Sequence, residues 1–274
     1  MWNKEVALSL VPLAVLNGLI IGSLFVFLAL RALGIVKKED YIEDHKHRAT
    51  VVLGSTLREF WLWFTSPVER TLIALRVTPN LITTVGLLLS MVAGVFYYMG
   101  HVGTAGYMLI LGACCDYFDG RVARATNRQT QSGAYYDAVL DRACEGAVLM
   151  GIAGYFQHTA LVFIPMVALV GSFMVSYTKS KAEAMGVKCD LGLMQRPERL
   201  FLLASTSLFD PLVKSWAVNH GFPDVHYLML GAVGVIAILT LYTTYQRISH
   251  SFHALEERDA EEAADVAPLE RTAS

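Results

Sequence analysis

Three stretches of this 274-residue chain, 6–30, 80–100 and 225–246, contain no Asp, Glu, Lys or Arg. Each is long enough to cross the hydrocarbon core of a bilayer, which takes about 20 apolar residues per helix. The composition agrees, with 54% apolar and 17% charged residues, against roughly a quarter charged in ordinary soluble domains. Mean hydropathy is +0.45. A soluble sphere has too few charges here to cover itself, and a secreted or disordered chain is excluded. The expected class is an all-α, polytopic integral membrane protein.

Apolar patterning places seven spans near residues 6–35, 79–99, 104–126, 133–155, 160–182, 197–217 and 225–247. The sixth is the weakest, because Asp210-Pro211 interrupts it. Between the first two lie a charged linker, 37–48, and an amphipathic stretch, 57–76, in which Trp61, Trp63 and Phe64 alternate with Arg58, Arg70 and Arg76. That mixture suits the membrane interface. With the N-terminus outside, eighteen of the 22 Lys and Arg fall on the cytoplasmic side, and only Lys4 and Lys214 fall opposite. Positive charge marks cytoplasmic loops, so an odd span count and a cytoplasmic C-terminus follow. Residues 251–274 carry seven acids and two arginines and read as a disordered acidic tail. Cys114, Cys115, Cys144 and Cys189 form no CxxC pair, so neither disulfides nor zinc is expected. Tyr97, Tyr98 and Trp216 read as interfacial anchors, and Gly151 and Gly154 as points of close helix packing.

Five acids lie on two consecutive spans: Asp116 and Asp119, then Asp137, Asp141 and Glu145. An ionised side chain at the centre of a membrane helix costs roughly 2.5–3.5 kcal/mol, so such residues mark function or pairing. Arg121, Arg124 and Arg142 are too few to neutralise all five. At about 100° per residue, Asp116, Asp119, Gly120 and Ala123 share one face, and Gly133, Asp137 and Asp141 repeat every fourth residue on the next helix. Two antiparallel helices can turn these stripes toward each other. Four carboxylates would then converge as an oxygen-only site suited to Mg²⁺. The small residues leave room for a ligand, and Arg124 stands at the rim for a phosphate.

Written out, the segment is Asp116-x2-Asp119-Gly120-x2-Ala123-Arg124-x8-Gly133-x3-Asp137-x3-Asp141. It resembles, without a departure, the DxxDGxxAR-x8-GxxxDxxxD signature of the CDP-alcohol phosphatidyltransferases. The run from Thr78 to Thr83 also resembles that family's approach to its first core helix. The resemblance covers residues 55–250. It implies a six-helix transmembrane core preceded by an interfacial amphipathic helix. Residues 1–36 are left as an extra N-terminal transmembrane helix, 37–54 as a cytoplasmic linker and 251–274 as the tail.

The resemblance further implies a homodimer in the cytoplasmic membrane, its active site facing the cytoplasm. By position, Asp116, Asp119, Asp137 and Asp141 would hold two Mg²⁺ (or Mn²⁺) ions, with Asp141 also the general base. Gly120, Ala123, Arg124 and Gly133 would receive the CDP part of CDP-diacylglycerol, whose phosphatidyl group passes to an alcohol with release of CMP. A second basic group comprises Ser176-Tyr177-x-Lys179-x-Lys181, Arg196-Pro197-Glu198-Arg199 and Gln246-Arg247. It resembles the acceptor elements of phosphatidylinositol-phosphate synthases. That makes Lys179, Lys181, Arg199 and Arg247 the expected ligands of the acceptor phosphate, with Arg196 a weaker candidate. Lys181 stands where many relatives have Arg, keeping the charge without the bidentate fork.

Inositol phosphate is the expected acceptor, with glycerol 3-phosphate as the main competitor and inositol or serine after it. Nucleic acid is not an expected partner. Glu145 either tunes the metal site or pairs with Arg142 or a neighbouring helix. An intramembrane prenyltransferase is disfavoured by the short gap between Asp119 and Asp137. A cation transporter leaves Gly120, Ala123, Arg124 and Gly133 unexplained.

Overall fold

The computed structural model describes residues 4–33 and 55–272. The charged linker of the sequence reading lies outside them. Among the described residues all regular structure is helical: α1 Lys4–Ala32, α2 Ser55–Ala74, α3 Pro79–Tyr98, α4 Val102–Ala125, α5 Gln131–Tyr155, α6 Phe163–Ala184, α7 Arg196–Asn219 and α8 Tyr227–Thr272. A single 3₁₀ turn, Ala160–Val162, leads into α6.

Helix starts follow local chemistry. Thr78 is extended ahead of Pro79, which takes the first turn of α3, where a missing N–H costs nothing. Thr130 caps α5 by accepting the Gly133 N–H at 3.0 Å. Between α4 and α5 the chain reverses through Asn127 at φ 54, a left-handed position that Asn tolerates, and the Arg128 N–H returns to the Ala123 carbonyl at 2.9 Å.

The helix α3 packs along α4 and α5, α6 packs against α8, and α7 bridges α4 and α8. Small residues allow the closest approach. A Cβ on Gly151 would collide with the Gly94 carbonyl, and one on Gly154 would lie 2.7 Å from the Tyr98 ring. Both glycines therefore do the packing work expected of them. Ala93, Tyr97, Leu109, Ile152, Leu203, Met229 and Ile236 belong to the buried core. Outward stand Leu88, Val95, Phe163, Val170, Ile238 and Tyr245, a broad apolar surface of the kind that lipid covers.

Among the described residues three helices are long and apolar enough to cross a membrane: Pro79–Tyr98, Ala160–Ala184 and Tyr227–Ala260. The helices α4, α5 and α7 fall outside that set because they carry the charged residues of the interior. α1 lies against α7, α4 and α2. Phe27 of α1 joins Phe60 and Trp63 of α2 in an aromatic cluster, and Arg31 pairs with Glu59 at 2.7 Å.

Three expectations are corrected. Asp210-Pro211 does not break its span, since α7 runs through it; the buried Asp210 carboxylate accepts from the Met229 N–H at 3.0 Å and from the His226 ring. It thereby supplies the first turn of α8 with a side-chain acceptor. Tyr97 is no interfacial anchor: one turn beyond Ala93 it faces inward, fully buried, its hydroxyl 2.7 Å from Ser207 Oγ. Tyr98 and Trp216 are exposed as anchors would be. The acidic tail is not a separate disordered end, because α8 continues to Thr272. Ala and Glu are strong helix formers, and extending a helix already nucleated in the membrane adds bonds without the cost of a new nucleus.

Candidate active site

The last three turns of α4 and the first half of α5 converge on the N-terminus of α3. One carboxylate oxygen each from Asp116, Asp119 and Asp137 lies within 4.8 Å of the others. At an effective dielectric constant of about 20, each ionised pair at this separation repels by about 3 kcal/mol or more. Asp119 is buried and receives the Thr83 hydroxyl at 2.6 Å. The Oδ1 atom of Asp137 is buried and has no hydrogen-bond partner. Clustered carboxylates with one oxygen left unsatisfied are a donor set that a hard divalent cation fits.

The fourth carboxylate of the helical stripes, Asp141, adjoins this cluster, sharing Arg196 and a small cavity with Asp116. Asp141 is four residues beyond Asp137, about 6 Å further along α5, and its neighbour there is Arg196 at the start of α7. Arg196 reaches Asp141 Oδ1 at 2.7 Å and Asp116 Oδ2 at 3.0 Å. Arg196, ranked low for the acceptor phosphate, thus stands between the proposed base and a proposed metal ligand. Asp116 and Asp141 also border a small cavity of about 20 Å³, enough for a water-sized group.

Beside the carboxylates a cavity of about 450 Å³ opens, within the range of small-ligand sites. Gly120, Ala123, Arg124 and Gly133 all line it, together with Asp119 and Asp137. The space at the glycines is tight: a Cβ on Gly120 would lie 3.2 Å from Arg124 Nη1, and one on Gly133 3.0 Å from Thr130 Oγ1, so either side chain would have to give way. Asn80 and Thr83, from the family-like run Thr78 to Thr83, line the same space with Arg128 and the turn 129–131, none of them assigned a binding role from sequence. The signal for Asn80 and Thr83 was present: a Pro79 start fixes the first turn of α3, and residues three apart then share a face. Arg128, at the end of the turn after α4, is also on this wall.

Two of the three arginines set against the acids have other partners. Arg121 forms a buried ion pair with Glu69 of α2 at 2.6 Å, and Arg142 donates to the Ala138 carbonyl of its own helix. Glu145 pairs across helices with Arg199, which forks onto both its oxygens and also donates to the Met194 carbonyl at 2.9 Å. Of the expected acceptor ligands, Lys179, Arg199 and Arg247 meet around residues 190–194. Lys179 contacts Asp190 at 3.0 Å, and Arg247 donates to the carbonyls of Leu191 at 2.7 Å and Val175 at 2.6 Å. The hydrogen bond from Lys179 holds the exposed Asp190 carboxyl below its ordinary range, so this contact is an ion pair at neutral pH. Arg199 and Arg247 are buried, whereas Lys181 is exposed.

A carboxylate cluster on buried helices, opening on a glycine-lined cavity of about 450 Å³, has the make-up of a cation-dependent membrane enzyme. Residues 76–223 match the CDP-alcohol phosphatidyltransferase family, and the chain belongs to it. It is 34% identical over 161 residues to a phosphatidylinositol phosphate synthase of Mycobacteroides abscessus, covering 57% of this chain and 73% of that one. It is 36% identical over 149 residues to an archaetidylinositol phosphate synthase of Pyrococcus horikoshii, covering 53% and 78%. The structure resembles that of the Mycobacterium tuberculosis phosphatidylinositol phosphate synthase in complex with manganese and citrate. That match has a TM-score of 0.59 and 27% identity, over 69% of this chain and 88% of the other. The same protein with CDP-DAG bound matches with a TM-score of 0.58 and 26% identity, over 69% and 93%.

Proposed function

We propose that this enzyme transfers the phosphatidyl group of CDP-DAG to a hydroxyl of inositol phosphate, releasing CMP, as a step of phospholipid synthesis. The observation that carries the reading is the cavity in which Gly120, Ala123, Arg124 and Gly133 adjoin Asp119 and Asp137. It supplies a place for a nucleotide diphosphate against a cation site. The named relatives differ in their lipid but share inositol phosphate in the product, and this supports the acceptor. Asp116, Asp119, Asp137 and Asp141 would hold two Mg²⁺ ions, or Mn²⁺, which when bound neutralise charge on the pyrophosphate and on the departing CMP. Asp141 takes the proton of the acceptor hydroxyl as that oxygen bonds to the phosphatidyl phosphorus. The bond from that phosphorus to CMP breaks in the same displacement. Lys179, Lys181, Arg199 and Arg247 receive the acceptor phosphate, with Lys179 exchanging Asp190 for it.

In the same reading α3–α8 form a six-helix transmembrane core, α2 lies at the interface and α1 is an added span. The protein is a homodimer of the cytoplasmic membrane, its N-terminus outside and its C-terminus and active site at the cytoplasmic face. Glycerol 3-phosphate is the second reading for the acceptor, because the same cations suit any phosphorylated alcohol.

Purified protein in detergent with CDP-DAG and Mg²⁺ is expected to release CMP when inositol phosphate is added. Release only with glycerol 3-phosphate, serine or inositol would overturn the acceptor, and no release with any of them would overturn the reaction. In the same assay Gly120→Ala is expected to raise the KM for CDP-DAG about tenfold, the order of one charge-assisted hydrogen bond lost. The added methyl displaces the Arg124 guanidinium. An unchanged KM would remove Arg124 from the donor site.

A further inference from the structure

The loop between α6 and α7 joins the two acceptor elements, and it is laced to α8 at four points. The Met194 N–H donates to Thr243 Oγ1 at 3.3 Å, Arg247 donates to the Leu191 carbonyl at 2.7 Å, His250 Nε2 lies 3.4 Å from the Lys188 carbonyl, and Arg258 donates to the Met185 carbonyl at 2.9 Å. As α8 advances through 243, 247, 250 and 258, the loop recedes through 194, 191, 188 and 185. The loop therefore runs antiparallel to the helix, with one rung every third loop residue. On a helix of about 100° per residue those four α8 positions fall within about 80° of one another, a single stripe about 22 Å long. Gly192, at φ 127, fits the loop beneath Thr243, whose methyl group occupies the place a Cβ would take.

α8 is 46 residues long, about 69 Å at 1.5 Å per residue, more than twice the roughly 30 Å of a hydrocarbon core. Its C-terminal half has no membrane to span. We propose that this extension is a strut for the acceptor site, and that Arg258, outside the region of family resemblance, is a positioning residue. Arg258 holds the Met185 carbonyl, where α6 ends just beyond Lys179 and Lys181. The stripe as a whole sets the course of residues 185–194, and with it the places of Lys179, Arg199 and Arg247 relative to one another. This rests on the acceptor reading above.

The test uses full-length protein and the Arg258→Ala and Arg258→Lys variants. Arg258→Ala is expected to raise the KM for inositol phosphate about two- to tenfold, the range of one net hydrogen bond. The KM for CDP-DAG should stay at the wild-type value. Tryptic cleavage after Lys188, whose side chain is 87% exposed, should accelerate as its backbone is released. Arg258→Lys, which keeps a donor, should restore much of both. Unchanged cleavage and unchanged acceptor KM in Arg258→Ala would overturn the strut. A parallel rise in both KM values would also overturn it, marking general loss of structure. If wild-type enzyme ignores inositol phosphate while Arg258→Ala still accelerates cleavage after Lys188, the strut stands and the acceptor reading fails.

Discussion

Replacing Asp141 by Asn is expected to lower CMP release by roughly 10²–10⁴-fold, the range a positioned general base contributes. Asn keeps the shape of the side chain and can accept from Arg196, so the arrangement of α5 against α7 persists. What it loses is the capacity to take a proton and a negative charge beside Asp116. The substitution leaves the cavity bordered by Gly120, Ala123, Arg124 and Gly133 untouched, and CDP-DAG titration should report near-normal binding. Turnover within tenfold of wild type would remove Asp141 from the role of base. Lost binding with lost turnover would show that its charge is needed at the cation site and leave the role of base without support.

The second large effect concerns stability. Glu145 and Arg199 are 9% and 3% exposed as side chains and face each other as a forked pair. Glu145→Ala strands a buried guanidinium, which typically costs about 3–5 kcal/mol, so thermal unfolding in detergent should move sharply downward. Glu145→Gln, which retains an acceptor, should lose less. The double variant Glu145→Met with Arg199→Met removes both charges together and is expected to recover most of the stability. Arg199 then separates into its two jobs. If the double variant is stable but its KM for inositol phosphate rises, Arg199 contacts the acceptor as well as Glu145. A stable double variant with a normal KM leaves Arg199 a purely structural ion-pair partner. A Glu145→Ala variant as stable as wild type would contradict the buried pair.

Much of the site was legible because it is built from helical periodicity. Asp116, Asp119, Gly120 and Ala123 share a face whatever surrounds them, and the turn from Thr126 to Thr130 is too short to send the next stripe elsewhere. The signature then pointed to the chemistry. What sequence could not assign was partner choice among charges, which depends on helices distant in the chain. Arg196 stands eighty residues from Asp116, and nothing in its spacing places it there rather than at the acceptor. Arg121 went to Glu69 for the same reason, since α2 contacts α4 only in three dimensions. Asp210 beside Pro211 carries a strong local break signal, overridden because its carboxylate caps α8 and finds His226. Tyr97 and Tyr98 are adjacent in sequence and about 100° apart on the helix, so one is core and the other surface. Composition described 251–274 correctly as polar and acidic. It could not show that Arg258 reaches back to Met185.

The most direct test of the account follows the phosphate of the acceptor. Purified enzyme given CDP-DAG, a divalent cation and inositol phosphate labelled in its phosphate should place that label in the extractable lipid, one per CMP released. CMP formation with the label left in the aqueous phase, or labelled lipid without CMP, would contradict phosphatidyl transfer to inositol phosphate.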